Sequence, residues 1–297
     1  MLLIEQEEKG CIYKKVLFSK QVWEVPRPGN LRKEFIMSEI KTNKGISYIV
    51  EDCRDKKTAV WKFVENGVSL EGAILYGIDL SGINFEGVNL SEVDFRDCVF
   101  KGTNFNGANL EGANFENTNL KDADFTGAVL NGTNFKGANL VSAVFDDTSL
   151  RGADLSDAIL YGASLKGASL ECAVCRNTDF DSADLEGANF YGADLTCAVL
   201  YKANLRGVNF NKADLTGANF KGANLESANL DDASWTFSCQ TLYAILDDRL
   251  RIQMLFHAAK PAGEVIDTDL KELLESELFK RVVNKCHMIP KYCAPVH

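Results

Sequence analysis

The chain lacks several features that would narrow its role at once. It has no run of about 18 apolar residues, so no segment is expected to span a membrane. The amino terminus, Met1-Leu2-Leu3-Ile4-Glu5, turns acidic with no basic stretch leading into an apolar one, and no secretory signal is expected. Histidine is scarce: His257, His287 and His297 are the whole set, and none stands near a serine or cysteine in a recognisable nucleophile setting. There is no glycine-rich phosphate loop. The nine cysteines are odd in number and scattered, unlike a disulfide framework, and they fit a reducing cytoplasm. Positive charge is also short. The 32 Lys and Arg face 42 Asp and Glu, a net charge of −10, which argues against an ordinary basic nucleic-acid binder.

What the chain does have is a period of five. Every fifth residue from Leu70 is large and apolar: Leu75, Leu80, Phe85, Leu90, Phe95, and so on to Leu230 and Trp235. Of these 34 positions 32 are Leu or Phe, the exceptions being Cys175 and Trp235. Two residues before each stands a small one, such as Ala108, Ala113 or Thr118, with Asn or Asp frequent between, as at Asn109 and Asp124. The two residues after are polar or glycine. Five matches neither the 3.6 of a helix nor the 2 of a strand. It suits a coil that turns a corner every five residues, four short sides to a turn. Coils stacked at roughly 4.8 Å would give about 8.5 coils and a rod about 40 Å long. With 20 residues per coil, Phe85, Phe105, Phe125 and Phe145 form one axial column, continued by Leu165, Leu185, Leu205 and Leu225.

Ala108-Asn109-Leu110-Glu111-Gly112 and Ala213-Asp214-Leu215-Thr216-Gly217 resemble the repeat of the pentapeptide-repeat family, Ala-(Asp/Asn)-Leu-X-X. The resemblance implies an all-β solenoid, a right-handed quadrilateral β-helix, over residues 67–236. It also implies a non-enzymatic binding role. Members that protect bacterial gyrase from quinolones are acidic rods about as wide as a DNA duplex. By that likeness the partner is a DNA-handling protein, DNA gyrase or topoisomerase IV, with no direct nucleic-acid contact. Against the likeness, this rod lacks the loops that interrupt several of those members, and it adds a 66-residue leader. The alternative is a structural or adaptor scaffold, phage-encoded or a secreted effector, whose specificity lies in the leader.

Residues 1–66 lack the repeat and hold strand-like runs, Val16-Leu17-Phe18 through Val25 and Ile46 to Val50, separated by turn signals at Pro26, Pro28, Gly29 and Asn43-Lys44-Gly45. They are expected to form a small β-rich or mixed module. Residues 237–297 place Leu242, Ile245, Leu246, Leu250 and Leu255 near helical spacing, and a second helix is expected from Asp267 or Thr268 to about Asn284. A helical cap on the last coil is expected there, with homodimerisation through the same helices.

No catalytic site, cofactor or metal is expected. Cys172 and Cys175 form a CxxC, but the period puts Cys175 inward and Cys172 on a corner. Cys286, His287, Cys293 and His297 offer zinc-type ligands at a spacing that fits no standard module. Eight of the repeat's 24 acidic residues occupy the slot before the inward residue, where they would serve the backbone.

The four sides differ in charge. The side of Phe85 carries Glu86, Asp124, Asp146, Asp147, Asp184, Glu186 and Glu226 against Lys166 and Arg206, and is the candidate acidic binding face. The sides of Leu90 and Phe95 are acidic too, whereas four acids on the side of Leu80 are balanced by Lys101, Lys121, Lys202 and Lys221. This neutral side also presents Val141, Ile159, Tyr161, Val199 and Tyr201, with Val99, as a contiguous apolar and tyrosine strip, a second candidate contact surface.

Overall fold

A computed structural model of the chain describes residues 3–8, 11–17, 37–44, 46–51, 55–235 and 244. Strands β1 (Leu3–Glu8), β2 (Cys11–Leu17), β3 (Met37–Thr42) and β4 (Ile46–Glu51) pair antiparallel in the order β1-β2-β4-β3. The fifth strand of that sheet, β5 (Ala73–Ile74), already belongs to the first coil of the repeat. It pairs with β3 through Lys41↔Ile74 and Thr42↔Ala73, and Asn43 N–H adds a 2.8 Å bond to the Gly72 carbonyl. The open backbone edge of the first coil is thereby satisfied along this side.

Helix α1 (Lys56–Glu65), which the sequence reading did not find, links this sheet to the repeat. Asp55 caps its start by accepting from Thr58 N–H at 2.8 Å. Its end is a Schellman motif: Val68 N–H reaches the Phe63 carbonyl and Gly67 N–H the Val64 carbonyl, with Gly67 at φ +68°. Ala59, Val60 and Phe63 are fully buried and join the same apolar cluster as Leu70 and Leu75. The helix therefore plugs the end of the rod's core.

From Ile74 to Trp235 each slot residue bridges the slot residue twenty positions on, in parallel; the last bridges belong to β6 (Asp214–Leu215) and β7 (Ser234–Trp235). Corners follow one rule. The residue two after each inward residue has φ of +54° to +79°, and at every corner but that of Leu75 the N–H three after the inward residue bonds back to its carbonyl, as from Ala108 to Phe105 at 2.9 Å. That combination is a type II turn, which explains the frequent glycine at this position. The inward residues and the small residues two before them form one continuous buried core. Phe105, Phe125 and Phe145 stack with centroids 4.8 Å apart, one ring per coil, and rings of the neighbouring column meet them edge-on. The segment holding Leu242, Ile245, Leu246, Leu250 and Leu255, the expected cap and dimer contact, lies outside the described residues. Ala244 is described; it is partly buried and packs against the core.

Candidate interaction faces

The slot residue does structural work before any other. Its side-chain oxygen accepts the backbone N–H two residues on, as Asn109 does from Glu111 and Asn134 from Lys136. Aspartates fill the slot in the same way. Asp124 accepts from Thr126 N–H at 2.9 Å and from the Thr126 hydroxyl at 2.6 Å, and Asp184 accepts from Glu186 N–H at 3.3 Å. At two serine slots, Ser149 and Ser164, the coil before supplies the missing acceptor. Asp146 Oδ1 takes the Lys166 N–H and the Ser164 hydroxyl, and Asn131 Oδ1 takes the Arg151 N–H and the Ser149 hydroxyl.

At Asp94, Asp124 and Asp194 such bonds favour the ionised carboxylate. Asp94 is held below the usual carboxylate range by the Arg96 guanidinium, with two bonds at 2.8 and 2.9 Å. At Asp124 burial pushes the other way, but the Thr126 hydroxyl and N–H outweigh it and the group ends low. Asp194 shows the same balance, with Thr196 and then Arg176 outweighing burial.

On the candidate acidic face, then, Asp124, Asp146 and Asp184 serve the backbone, while Glu86, Asp147, Glu186 and Glu226 are exposed. The coil register brings Asp146, Asp147, Asp184 and Glu186 around Lys166, whose Nζ lies 3.1 Å from Asp184. Arg206 comes within 3.8 Å of Glu226. Glu86 stands apart toward the first coil, so these seven residues do not form one cluster.

The neutral side needs a correction. Ile159 and Tyr161 are 43% and 50% exposed, and Val141 stacks on Tyr161. Asp179 separates Ile159 from Val199, and Asp181 separates Tyr161 from Tyr201. The expected contiguous strip therefore falls into three pieces: Asn119 and Lys121 set Val99 apart, and a 20-residue coil inserts residues 179–181 before Val199 and Tyr201. The summed charge of a side hides the order of its residues. Every twentieth residue from Lys101 would have shown it: Lys101, Lys121, Val141, Tyr161, Asp181, Tyr201, Lys221.

The described cysteines stay apart. Cys175 is fully buried in its inward slot and Cys172 is exposed on a corner. Burial pushes the Cys175 thiol well up, and pushes Cys98 to about 11. Among the described residues no group of three or more His, Cys, Asp or Glu is placed to hold a metal ion, and no helix is long and apolar enough to cross a membrane.

A trypsin-treated form of QnrB1, a plasmid-mediated fluoroquinolone resistance protein, is 21% identical, with 65% of this chain and 97% of that chain covered and a TM-score of 0.47. HetL, a pentapeptide repeat protein involved in heterocyst differentiation regulation in the cyanobacterium Nostoc sp. strain PCC 7120, is 24% identical. It covers 57% of this chain and 87% of its own, at a TM-score of 0.37. A pentapeptide repeat protein of the Arabidopsis thaliana thylakoid lumen is 27% identical over 50% of this chain and 68% of that one, with a TM-score of 0.16. No curated protein matches the chain. The family model described as pentapeptide repeats matches in eight copies at residues 66–102, 78–117, 158–196 and 193–232, and one described as a pentapeptide repeat region matches 103–174. Together they span more than half of the sequence, and the chain belongs to the pentapeptide-repeat family, whose members fold as right-handed four-sided β-helices.

Proposed function

We propose that this protein is a non-enzymatic binding rod that offers fixed rows of carboxylates to the duplex-binding surface of a DNA-handling protein. A type II topoisomerase, DNA gyrase or topoisomerase IV, is the first candidate. The observation that carries the reading is that the carboxylates are held in place. Asp94, Asp124 and Asp194 are pinned by backbone, hydroxyl or guanidinium donors that keep them ionised. A charge already ordered loses little side-chain freedom on binding. Forty ångströms of B-DNA carry about 24 phosphates. The repeat sets 24 carboxylates against 11 basic residues. That excess suits a basic saddle, at lower affinity than a duplex of equal length.

Titration of purified gyrase with this protein in a supercoiling assay tests the reading. Inhibition is expected at micromolar protein, weakening steeply with salt and competed by duplex DNA. Converting Asp94, Asp124 and Asp194 to Asn, which keeps the oxygen that the backbone uses, should relieve it, and converting Glu86, Asp147, Glu186 and Glu226 together to Gln or Asn should relieve it further. Supercoiling and DNA binding untouched at micromolar protein would sink the proposal.

Exposed Ile159 and Tyr161 favour a second reading, an adaptor scaffold with specificity shared by the N-terminal module. A lysate partner lost on Tyr161→Ser with Tyr201→Ser, yet indifferent to the four charge changes, would install it.

A further inference from the structure

The side of Leu80 is neutral overall, and the order of its residues is its informative property. Backbone bonds between successive coils set Lys101, Lys121, Val141, Tyr161, Asp181 and Tyr201 in one outward row. Beside it runs the row Val99, Asn119, Asn139, Ile159, Asp179 and Val199. Val141, Ile159 and Tyr161 make the apolar centre, with the latter two about half exposed. Lys101 and Lys121 precede the centre, both exposed and without an ion pair among the described residues; Asp179 and Asp181 follow it. A row that runs from positive through apolar to negative is complementary to its own reverse.

We infer that this side binds the same side of a second copy, the two rods antiparallel about a twofold axis between Val141 and Tyr161. The axis lies across the rods, so each outward row faces its own reverse. Lys121 of each copy then meets Asp181 of the other, twice over. Val141 packs on Tyr161, and Lys101 lies opposite Tyr201, whose ring already carries the Lys202 ammonium of its own chain at 5.0 Å. In the second row Asn119 meets Asp179, and Val99 meets Val199. Apart from that approach of Lys101 to Lys202, no like charges oppose each other in this register. A parallel pairing would set Asp181 against Asp179 at the same height. A shift of one coil toward the C-terminal end would set Lys101 against Lys221 and Asp181 against Val141. Each copy contributes the twelve outward residues of these two rows, against roughly 20–30 in a standard interface, so the association belongs to the weak, reversible class. The acidic sides stay outward, and the inference stands independently of what they bind.

Sedimentation equilibrium on the intact chain, from micromolar to several hundred micromolar at low salt, tests the pairing. The wild type should show a monomer–dimer equilibrium that weakens as salt rises. Lys121→Asp and Asp181→Lys should each weaken association at least about tenfold, since each makes two like-charge contacts. The double variant swaps both ends of the pair and should return to within about threefold of wild type. Thermal melts of all three, expected to match wild type, separate loss of association from loss of folding. A monomer across the whole range overturns the inference. So does a dimer that ignores the single variants, which would form elsewhere on the chain, or a double variant that fails to recover.

Discussion

At the scale of the residue, stability in this rod is decided by the direction in which a side chain points. Phe125 has rings stacked 4.8 Å away on both sides along the axis, and no part of it reaches solvent. Phe125→Ala should cost about 3–5 kcal/mol in chemical denaturation, whereas Lys136→Ala, at an exposed corner, should stay within about 0.5 kcal/mol. Cys98 offers a finer test. Its thiol donates to the Leu75 carbonyl at 2.8 Å and accepts from Ile78 N–H at 3.4 Å, standing in for the turn bond found at other corners. Cys98→Ala strips two backbone groups of their partner and should cost about 1–3 kcal/mol, while Cys98→Ser should recover most of it. Equal losses in the two variants would show that packing, and not the bridging bond, holds Cys98 there.

At the scale of the element, one turn can be completed from another coil. Asp146 holds the Lys166 N–H because slot residue Ser164 does not. Asp146→Ala should therefore lose about 1 kcal/mol, and adding Ser164→Asn, which restores a local acceptor, should regain it. A double variant no more stable than the single one would exclude this division of labour. The slot carboxylates also set a pH dependence. Asp94, Asp124 and Asp194 have folded pKa values below their unfolded ones. Their stabilisation is full above the unfolded carboxylate value, near 4, and is lost as pH falls through the lower folded values. Melting temperature should be level from about pH 7 to 5 and fall below about pH 4. Asn at all three slots keeps the acceptor and should flatten that fall.

At the scale of the whole molecule, charge and ends matter most. The excess of acids gives a calculated isoelectric point of about 5.0. Turbidity should peak near that pH, where repulsion between rods vanishes, while the fold itself persists, since the pinned Asp94, Asp124 and Asp194 titrate lower. The first coil is closed by β3 on one backbone edge and by Phe63 of α1 over its core. Phe63→Asp should leave distant coils intact by circular dichroism, because solenoid contacts are between neighbours, yet raise aggregation in light scattering by opening that end. Aggregation unchanged from wild type would mean that the plug is dispensable.

The sequence by itself determined the period, and with it the inward Leu and Phe, the small residue beside each, the corner glycines and the family. These are local rules repeated every five residues, so any stretch such as Ala108 to Gly112 displays them. The twenty-residue stack of Phe85 on Phe105 and Phe125 was legible for the same reason, as a multiple of that period. Tertiary structure decided what meets what. Asp146 completes a turn twenty residues on, Asp179 and Asp181 divide the neutral strip, and Thr42 of β3 closes a strand at Ala73, thirty-one residues away. Helix α1 escaped notice because its burial depends on the coil it plugs, and only Ala59, Val60 and Phe63 of its residues are buried. A side chain's direction follows from its place in the repeat. Its neighbours, and therefore the complementary order along one side, exist only once the coils are stacked.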